Sequence, residues 1–312
     1  MHGLRNTGEL RLAGYTEGEL SRLVRRGELV RVRRGTYGPP LAETADATVA
    51  HSRRIRATIP LIAPDAVISH LSAAVIHGLA LIAPSLSRVQ VTRSEVPGGK
   101  ARSALEIHAA PLPAGDVTVI DGVPVTSLAR TVADLSRSLG FEQAVVTGDS
   151  ALRVGLDRQE LLRCLERMRR WPGVVQARRV AAFVDARSES VGESRSRVSF
   201  LRTGVEPPVP QYNVFDRNGR IVGRADFAWQ DYSTLGEFDG RAKYGRSLKP
   251  GEGVAAAVYR EKLREDALRS LGWQVVRWTW GDLDHAEQIA FRLRDAFARA
   301  RRPDPWPLGW RP

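Results

Sequence analysis

The chain has 312 residues, 43% of them hydrophobic and 26% charged, and it carries a net charge of +12 at pH 7. That length holds two or three domains with cores of their own, and the composition is that of ordinary soluble protein, which excludes a disordered chain. The single cysteine, Cys164, excludes an internal disulfide framework, and the longest apolar run, Leu71–Ala83, contains His77 and is too short to cross a bilayer. The first ten residues, MHGLRNTGEL, have no apolar signal core, so a soluble, cytoplasmic protein is expected. The basic excess is uneven. Residues 1–60 carry 11 basic and 6 acidic side chains, residues 61–185 carry 14 and 12, and residues 186–312 carry 22 and 17. Two polyanion-facing regions are expected, with nucleic acid as the first partner class and an anionic membrane surface as the second.

In chain order, Thr7–Ala13 reads as a short helix, with Gly14 in the turn that follows. Thr16 and Glu19 form a T-x-x-E capping box, which opens a helix through about Arg26 and leaves Gly27 as its stop. Leu29–Tyr37 alternates and turns at Gly35, as a small hairpin does. Helix, turn, helix and basic hairpin make a winged helix-turn-helix. Arg22, Arg25 and Arg26 fall on the helix that would enter the major groove, and Arg31, Arg33 and Arg34 would lie along the wing. One acid, Glu28, accompanies these six arginines. The pattern fits a surface that tracks the phosphates of double-stranded DNA; a solvated basic helix is the plainer alternative.

The stretch YTEGELSRLVRRGELVRVRRGTYG resembles the N-terminal winged helix of AbiEi-family antitoxins of type IV toxin–antitoxin systems. DAVISHLSAAVIHGL at 65–79 and PVTSLARTVADL at 124–135 resemble the segment that follows in that family. The resemblance spans roughly residues 5–140. It implies DNA binding, repression of the chain's own operon, and a cognate toxin of nucleotidyltransferase type.

The middle region reads as mixed α/β. A helix is expected over Asp65–Leu79, with short strands at Arg88–Val91 and Leu105–His108. Val117–Ile120 and Val123–Thr126 flank Asp121-Gly122, a strong hairpin signal. A helix at Ser127–Leu139 follows, then helices at Phe141–Leu152, Asp157–Arg169 and Gly173–Ala186. His70 and His77 share one expected helix, but no cysteine or acidic cluster joins them, so they read as packed or hydrogen-bonded side chains rather than metal ligands. Cys164, on an amphipathic pattern, reads as core.

From Ser188 the pattern changes again. Ser190 and Glu193 form an S-x-x-E box opening a helix through about Arg202, and a strand follows at Val209–Phe215. Ile221–Trp229 and Thr234–Asp239 are rich in β-branched and aromatic residues, with polar turn residues at 230–233 between them. With Trp229 facing Thr234, the hairpin register puts Asp226 opposite Glu237 and Arg224 opposite Asp239. The Arg224–Asp239 pair reads as an ordinary cross-strand salt bridge. The Asp226–Glu237 pair does not, because like charges there sit roughly 4.5–5.5 Å apart and repel. Without a neutralising partner of its own, this pair calls for a proton, a basic side chain or a divalent cation. Mg²⁺ is commonly held by one or two carboxylates plus substrate phosphate.

A helix at 254–270 and an apolar strand at Trp273–Trp278 complete the order helix, three strands, helix, strand. ESRSR from Glu193, Asp226, EFDG from Glu237, KLRED from Lys262 and GWQVVRW resemble the restriction-endonuclease-like fold. The nearest likeness is to actinobacterial domains related to very-short-patch-repair endonucleases. The resemblance implies a PD-(D/E)XK site with Asp226, Glu237 and Glu193 as acids and Mg²⁺ held by Asp226 and Glu237. The pattern departs at Asp239, where lysine stands in the plain motif. Three of the four lysines, Lys243, Lys249 and Lys262, fall soon after Glu237, and Lys243 is the candidate to assist the attacking water.

The expected architecture is therefore mixed α/β in three parts. A winged helix occupies 1–45, an AbiEi-like α/β and helical region 46–187, and a nuclease-like domain 188–312. Two functions follow: a DNA-binding protein with a metal-dependent nuclease domain, or a non-enzymatic antitoxin and autorepressor whose nuclease fold is degenerate.

Overall fold

The computed structural model describes residues 3–94, 98–101, 104–240 and 254–300. The chain divides into two compact units. One comprises the residues up to Gly140 together with Gly155–Ala182; the other comprises Phe141–Val154 and the residues from Phe183 onward.

The first unit opens with β1 (Arg5–Asn6), α1 (Thr7–Leu12), α2 (Glu17–Arg25), β2 (Val30–Arg33) and β3 (Thr36–Gly38). Asn6 and Thr16 each cap a helix through a reciprocal box with Glu9 and Glu19, which satisfies backbone N–H groups at both helix starts. Leu10 and Leu20 are the buried anchors of these two helices. The three strands form one small sheet in the order β1-β3-β2. Next comes α3 (Ala47–Thr58), capped by Asp46.

A six-stranded sheet follows, built from β4 (Val67–Ile68), β5 (Val89–Arg93), β6 (Lys100–Ala101), β7 (Leu105–Ala109), β8 (Val117–Ile120) and β9 (Val123–Thr126). Its order is β6-β7-β5-β4-β9-β8. Here the expected helix over Asp65–Leu79 is corrected: its first residues are β4, and α4 begins only at His70 and runs to Ile76. Tertiary pairing overrides the helical pattern, because Val67 and Ile68 are buried between β5 and β9. The β8–β9 turn at Asp121 and Gly122 has φ values of 50° and 77°, as the Asp-Gly pair anticipates. Helix α5 (Leu128–Ser138), capped by Ser127, packs on α4; α6 (Phe141–Arg153), α7 (Arg158–Arg167) and α8 (Val174–Phe183) follow in the chain.

In the second unit, α6 packs against α9 (Val191–Thr203). Glu142 on α6 pairs with Arg195 and Arg202, and the buried Asp149 pairs with Arg197. These pairs tie α6, from the stretch assigned by sequence to the middle region, to this unit. The sheet consists of β10 (Val209–Phe215), β11 (Ile221–Trp229), β12 (Thr234–Asp239) and β13 (Gln274–Thr279), side by side in that order. The first two pairings are antiparallel and the last is parallel, the crossover being supplied through α10 (Val254–Ser270). One core cluster joins Phe200, Phe227, Trp229, Phe238 and Trp278 to the later helices α11 (Trp280–Leu283) and α12 (Ala286–Arg299) through Leu283, Ile289 and Leu293. A second cluster packs Ala225, Ala228 and Leu235 against Leu268 of α10. Glycine is needed at 236, where an added Cβ would stand 2.6 Å from the Trp278 ring.

Candidate nucleic-acid interface and carboxylate site

Helix α2 buries Leu20 and turns Arg22 and Arg25 outward, with Arg26 exposed at its C-cap. Arg26 stands 3.8 Å from Glu28, a loose pair at the surface. On the hairpin, Arg31 and Arg34 are exposed or nearly so, whereas Arg33 turns inward. Arg33 lies on the hairpin as expected but is half-buried and donates through Nη1 to the Ala57 carbonyl of α3 at 3.1 Å. The cause is a register shift between Arg31, which pairs with Tyr37, and Arg33, which pairs with Thr36. A bulge breaks the alternation that would keep both side chains on one face. Sequence alone also missed Arg53, buried on α3, whose guanidinium lies where a side chain on Gly38 would project. Its positive charge adds to the field of the adjoining hairpin.

Next to the turn the β11–β12 register is as the sequence predicts, with Phe227 facing Gly236, Ala228 facing Leu235 and Trp229 facing Thr234, but the paired positions end there, short of the expected Asp226–Glu237 pair. At the next step Asp226 uses Oδ2 to accept the Phe238 N–H at 2.8 Å. A side chain thus takes a backbone donor of the facing strand. Arg224 turns instead to Glu189 at 2.8 Å, which corrects the expected salt bridge with Asp239.

The larger correction concerns Glu237, which was expected to lack a neutralising partner. Arg264 of α10 donates to its Oε1 at 2.6 Å, and Arg277 of β13 donates Nε to its Oε2 at 2.9 Å. Arg277 extends its other nitrogens to Glu265 at 2.6 Å and Glu261 at 2.7 Å, and Arg264 also holds Glu261. The hydrogen bond to Glu261 is the largest influence holding the Arg264 guanidinium firmly charged. For Arg277, burial works against the charge, but the attraction of Glu237 and its neighbours outweighs it. Nothing in local sequence spacing announces that these arginines reach Glu237; only the Glu261–Arg264 and Glu265–Arg269 spacings are of the ordinary helical pairing kind.

Glu193 sits at the start of α9, 5% exposed, and accepts from the Ser190 hydroxyl at 2.7 Å and the Glu189 N–H at 2.8 Å. It also accepts from the side-chain amide of Gln211 at 2.8 Å. Gln211, unremarked in the sequence, lies level with Asp226 on β10 and adopts a left-handed φ of 54°. Lys243 lies outside the described residues. Among the described residues no group of three or more His, Cys, Asp or Glu side chains is arranged to hold a metal ion.

A third cluster lies in the first unit. His70, at φ 51°, stacks on His108 with ring centroids 3.6 Å apart. Beside them the buried Arg130 pairs with Asp134 at 2.7 Å and Asp116 at 3.0 Å, and Asp116 is also held by Arg167. Burial keeps both imidazoles below their usual pKa. His77 donates from Nε2 to the Thr126 carbonyl at 2.8 Å.

The basic helix and hairpin are followed by a mixed α/β body. Comparison with known proteins carries this further. Residues 6–40 match the family model described as transcriptional regulator, AbiEi antitoxin, and residues 66–183 match that of the AbiEi antitoxin C-terminal domain. Together they support the AbiEi antitoxin family. Two uncharacterized proteins of Mycobacterium tuberculosis, MT2308 and Rv2248, are each 30% identical over 184 residues, which cover 58% of this chain and 65% of theirs. The chain thus spans just under two thirds of these relatives. The crystal structure of the RV2827C protein from the same organism aligns with 16% identity and a TM-score of 0.37, covering 69% of this chain and 84% of that one. Among the described residues no helix is long and apolar enough to cross a membrane.

Proposed function

We propose that this chain is a DNA-binding transcriptional regulator of the antitoxin type, docking duplex DNA through a winged helix at its N-terminus. The observation that carries this reading is the outward set of Arg22, Arg25, Arg26, Arg31 and Arg34 within the residues matched by the regulator model. These guanidinium groups suit phosphate tracking on either side of a groove, with α2 as the reading helix. The protein would repress its own operon and would have a cognate toxin of nucleotidyltransferase type as its protein partner. Fluorescence anisotropy with a duplex from upstream of its own gene tests the first point. Co-expression with a neighbouring nucleotidyltransferase tests the second: rescue of growth supports the antitoxin reading, and persistent toxicity argues against it.

A second reading gives the C-terminal unit a nuclease role. It is favoured by the helix, three strands, helix, strand order with a parallel final pair, an order shared with restriction-endonuclease-like folds. Asp226 and Glu237 would hold Mg²⁺, Glu193 would support them and Lys243 would assist the water. This role requires Arg264 and Arg277 to leave Glu237, whose two oxygens they now share. Plasmid nicking with Mn²⁺, lost in Asp226→Asn and Glu237→Gln, would establish it. Intact plasmid leaves the regulator reading standing alone.

A further inference from the structure

Resting on the nuclease-like reading of the C-terminal unit, we infer that Arg264 and Arg277 have taken over the charge-neutralising role of a divalent cation beside Glu237. The unit is thereby a metal-independent module with a latent cation site, locked by its own arginines.

The geometry is that of a closed clamp. Each oxygen of Glu237 receives its own guanidinium, Oε1 from Arg264 at 2.6 Å and Oε2 from Arg277 at 2.9 Å. The Glu237 side chain is 12% exposed, so these bonds form in a shielded setting where charge-assisted pairs are strong. The clamp is itself held from behind. Arg277 directs its three donor nitrogens to three carboxylates, Glu237, Glu261 and Glu265. Arg264 bonds Glu261 through both Nε and Nη2. A cation entering at Glu237 would have to displace two guanidinium groups at once, and both would move against their ties to Glu261 and Glu265.

Two further features mark the clamp as built into the fold. The Arg264 side chain crosses β11 at Gly223, where an added Cβ would stand 3.2 Å from Nη1 and crowd it. Arg277 is held in place by the parallel pairing of β13 with β12, in which Arg277 is the register partner of Glu237. Guanidinium stays protonated across the whole biological pH range, so no pH change unlocks it. A lysine in either place could release its proton on burial; arginine cannot.

The test uses the full chain and Mn²⁺ alone as probe, read by electron paramagnetic resonance of bound metal and by thermal unfolding. The expected result for the unaltered protein is no bound Mn²⁺ and no shift in Tm. Arg264→Gln with Arg277→Gln should create binding and raise Tm with Mn²⁺, because a ligand specific to the native state stabilises it by mass action. Adding Asp226→Asn to that pair should abolish the gain. Bound Mn²⁺ in the unaltered protein, lost in Glu237→Gln, would overturn the inference while leaving the nuclease-like reading intact. A folded double variant that still ignores Mn²⁺ would overturn both. Should the double variant fail to fold, Arg264→Gln alone takes its place: a folded single variant that binds Mn²⁺ upholds the clamp, and one that ignores it overturns the inference. DNA binding by the N-terminal segment, measured on the same samples, is independent of every one of these outcomes.

Discussion

Replacing Arg22, Arg25 and Arg26 together by Ala separates a DNA-reading surface from a merely solvated basic helix. Removing one phosphate-bound cation takes about 0.9 off the slope of log affinity against log salt, so removing three takes off about 2.7. Between about 0.15 M and 1 M salt that slope is worth roughly 2.2 decades, or about 3 kcal/mol of affinity at the lower salt. Breaking the loose Arg26–Glu28 pair itself costs little, because exposed pairs are worth about 0–1 kcal/mol. Arg31→Ala with Arg34→Ala should lower the slope by about 1.8 on the same reasoning. Arg33→Ala is the internal control. Its guanidinium is bonded to the Ala57 carbonyl, so its removal should lower stability and leave the slope alone. The assay is fluorescence anisotropy of a labelled duplex over a salt series, with thermal unfolding of each variant alongside. An unchanged slope in the α2 triple variant, or an Arg33 variant as impaired as Arg31→Ala, would refute the placement of the interface.

Other consequences are open to direct measurement. His51 is fully buried, bonded to the Leu86 carbonyl and the Ser72 hydroxyl, and burial lowers its pKa from 6.5 to about 4. The unfolded chain therefore takes up a proton that the native state refuses. This contribution to stability is complete above pH 6.5 and is lost as pH falls toward 4, by about 2 kcal/mol between pH 7 and pH 5. Urea unfolding at the two pH values should show a correspondingly flatter pH dependence in His51→Gln; an identical dependence would contradict this. Gly192→Ala drives a Cβ into the Phe238 ring at the centre of the C-terminal core and should cost about 1–3 kcal/mol or more in urea unfolding. Arg130→Met removes the closer of Asp134's two arginines, leaving Arg137 at 3.6 Å, and part of the hold on Asp116 in a buried setting, for a loss of about 3 kcal/mol by the same measurement. Cys164 is buried and its thiol is pushed up to about 12, chiefly by burial, so it should react with a thiol reagent at pH 8 only after unfolding.

Several features of this protein were legible in its sequence because they depend on neighbours along the chain. The capping box at Thr16 and the N-cap at Ser190 mark the starts of α2 and α9, since a cap is satisfied within one helical turn, although Glu193 reaches back to the Glu189 N–H rather than closing the box on Ser190. The Asp121-Gly122 turn and the register of β11 on β12 follow from turn chemistry and alternation. That register correctly placed Asp226 and Glu237 on adjoining strands, while the inference that Glu237 lacked a partner was wrong. The strand at Val67–Ile68 was hidden inside a helical pattern, because only the flanking strands β5 and β9 favour an extended conformation there.

Local pattern was enough for the basic helix and hairpin, for the strands of the last unit and for the three paired positions that set β11 on β12. Packing settled which charges the acids and arginines meet. Arg33 turns inward because a bulge rotates it toward α3. Glu237 is neutralised by side chains 27 and 40 residues further along, delivered by a crossover helix and a parallel strand. The physical reason is range. Backbone preference and alternation act over a few residues, whereas the partner of a buried charge is chosen by whichever element the fold packs against it.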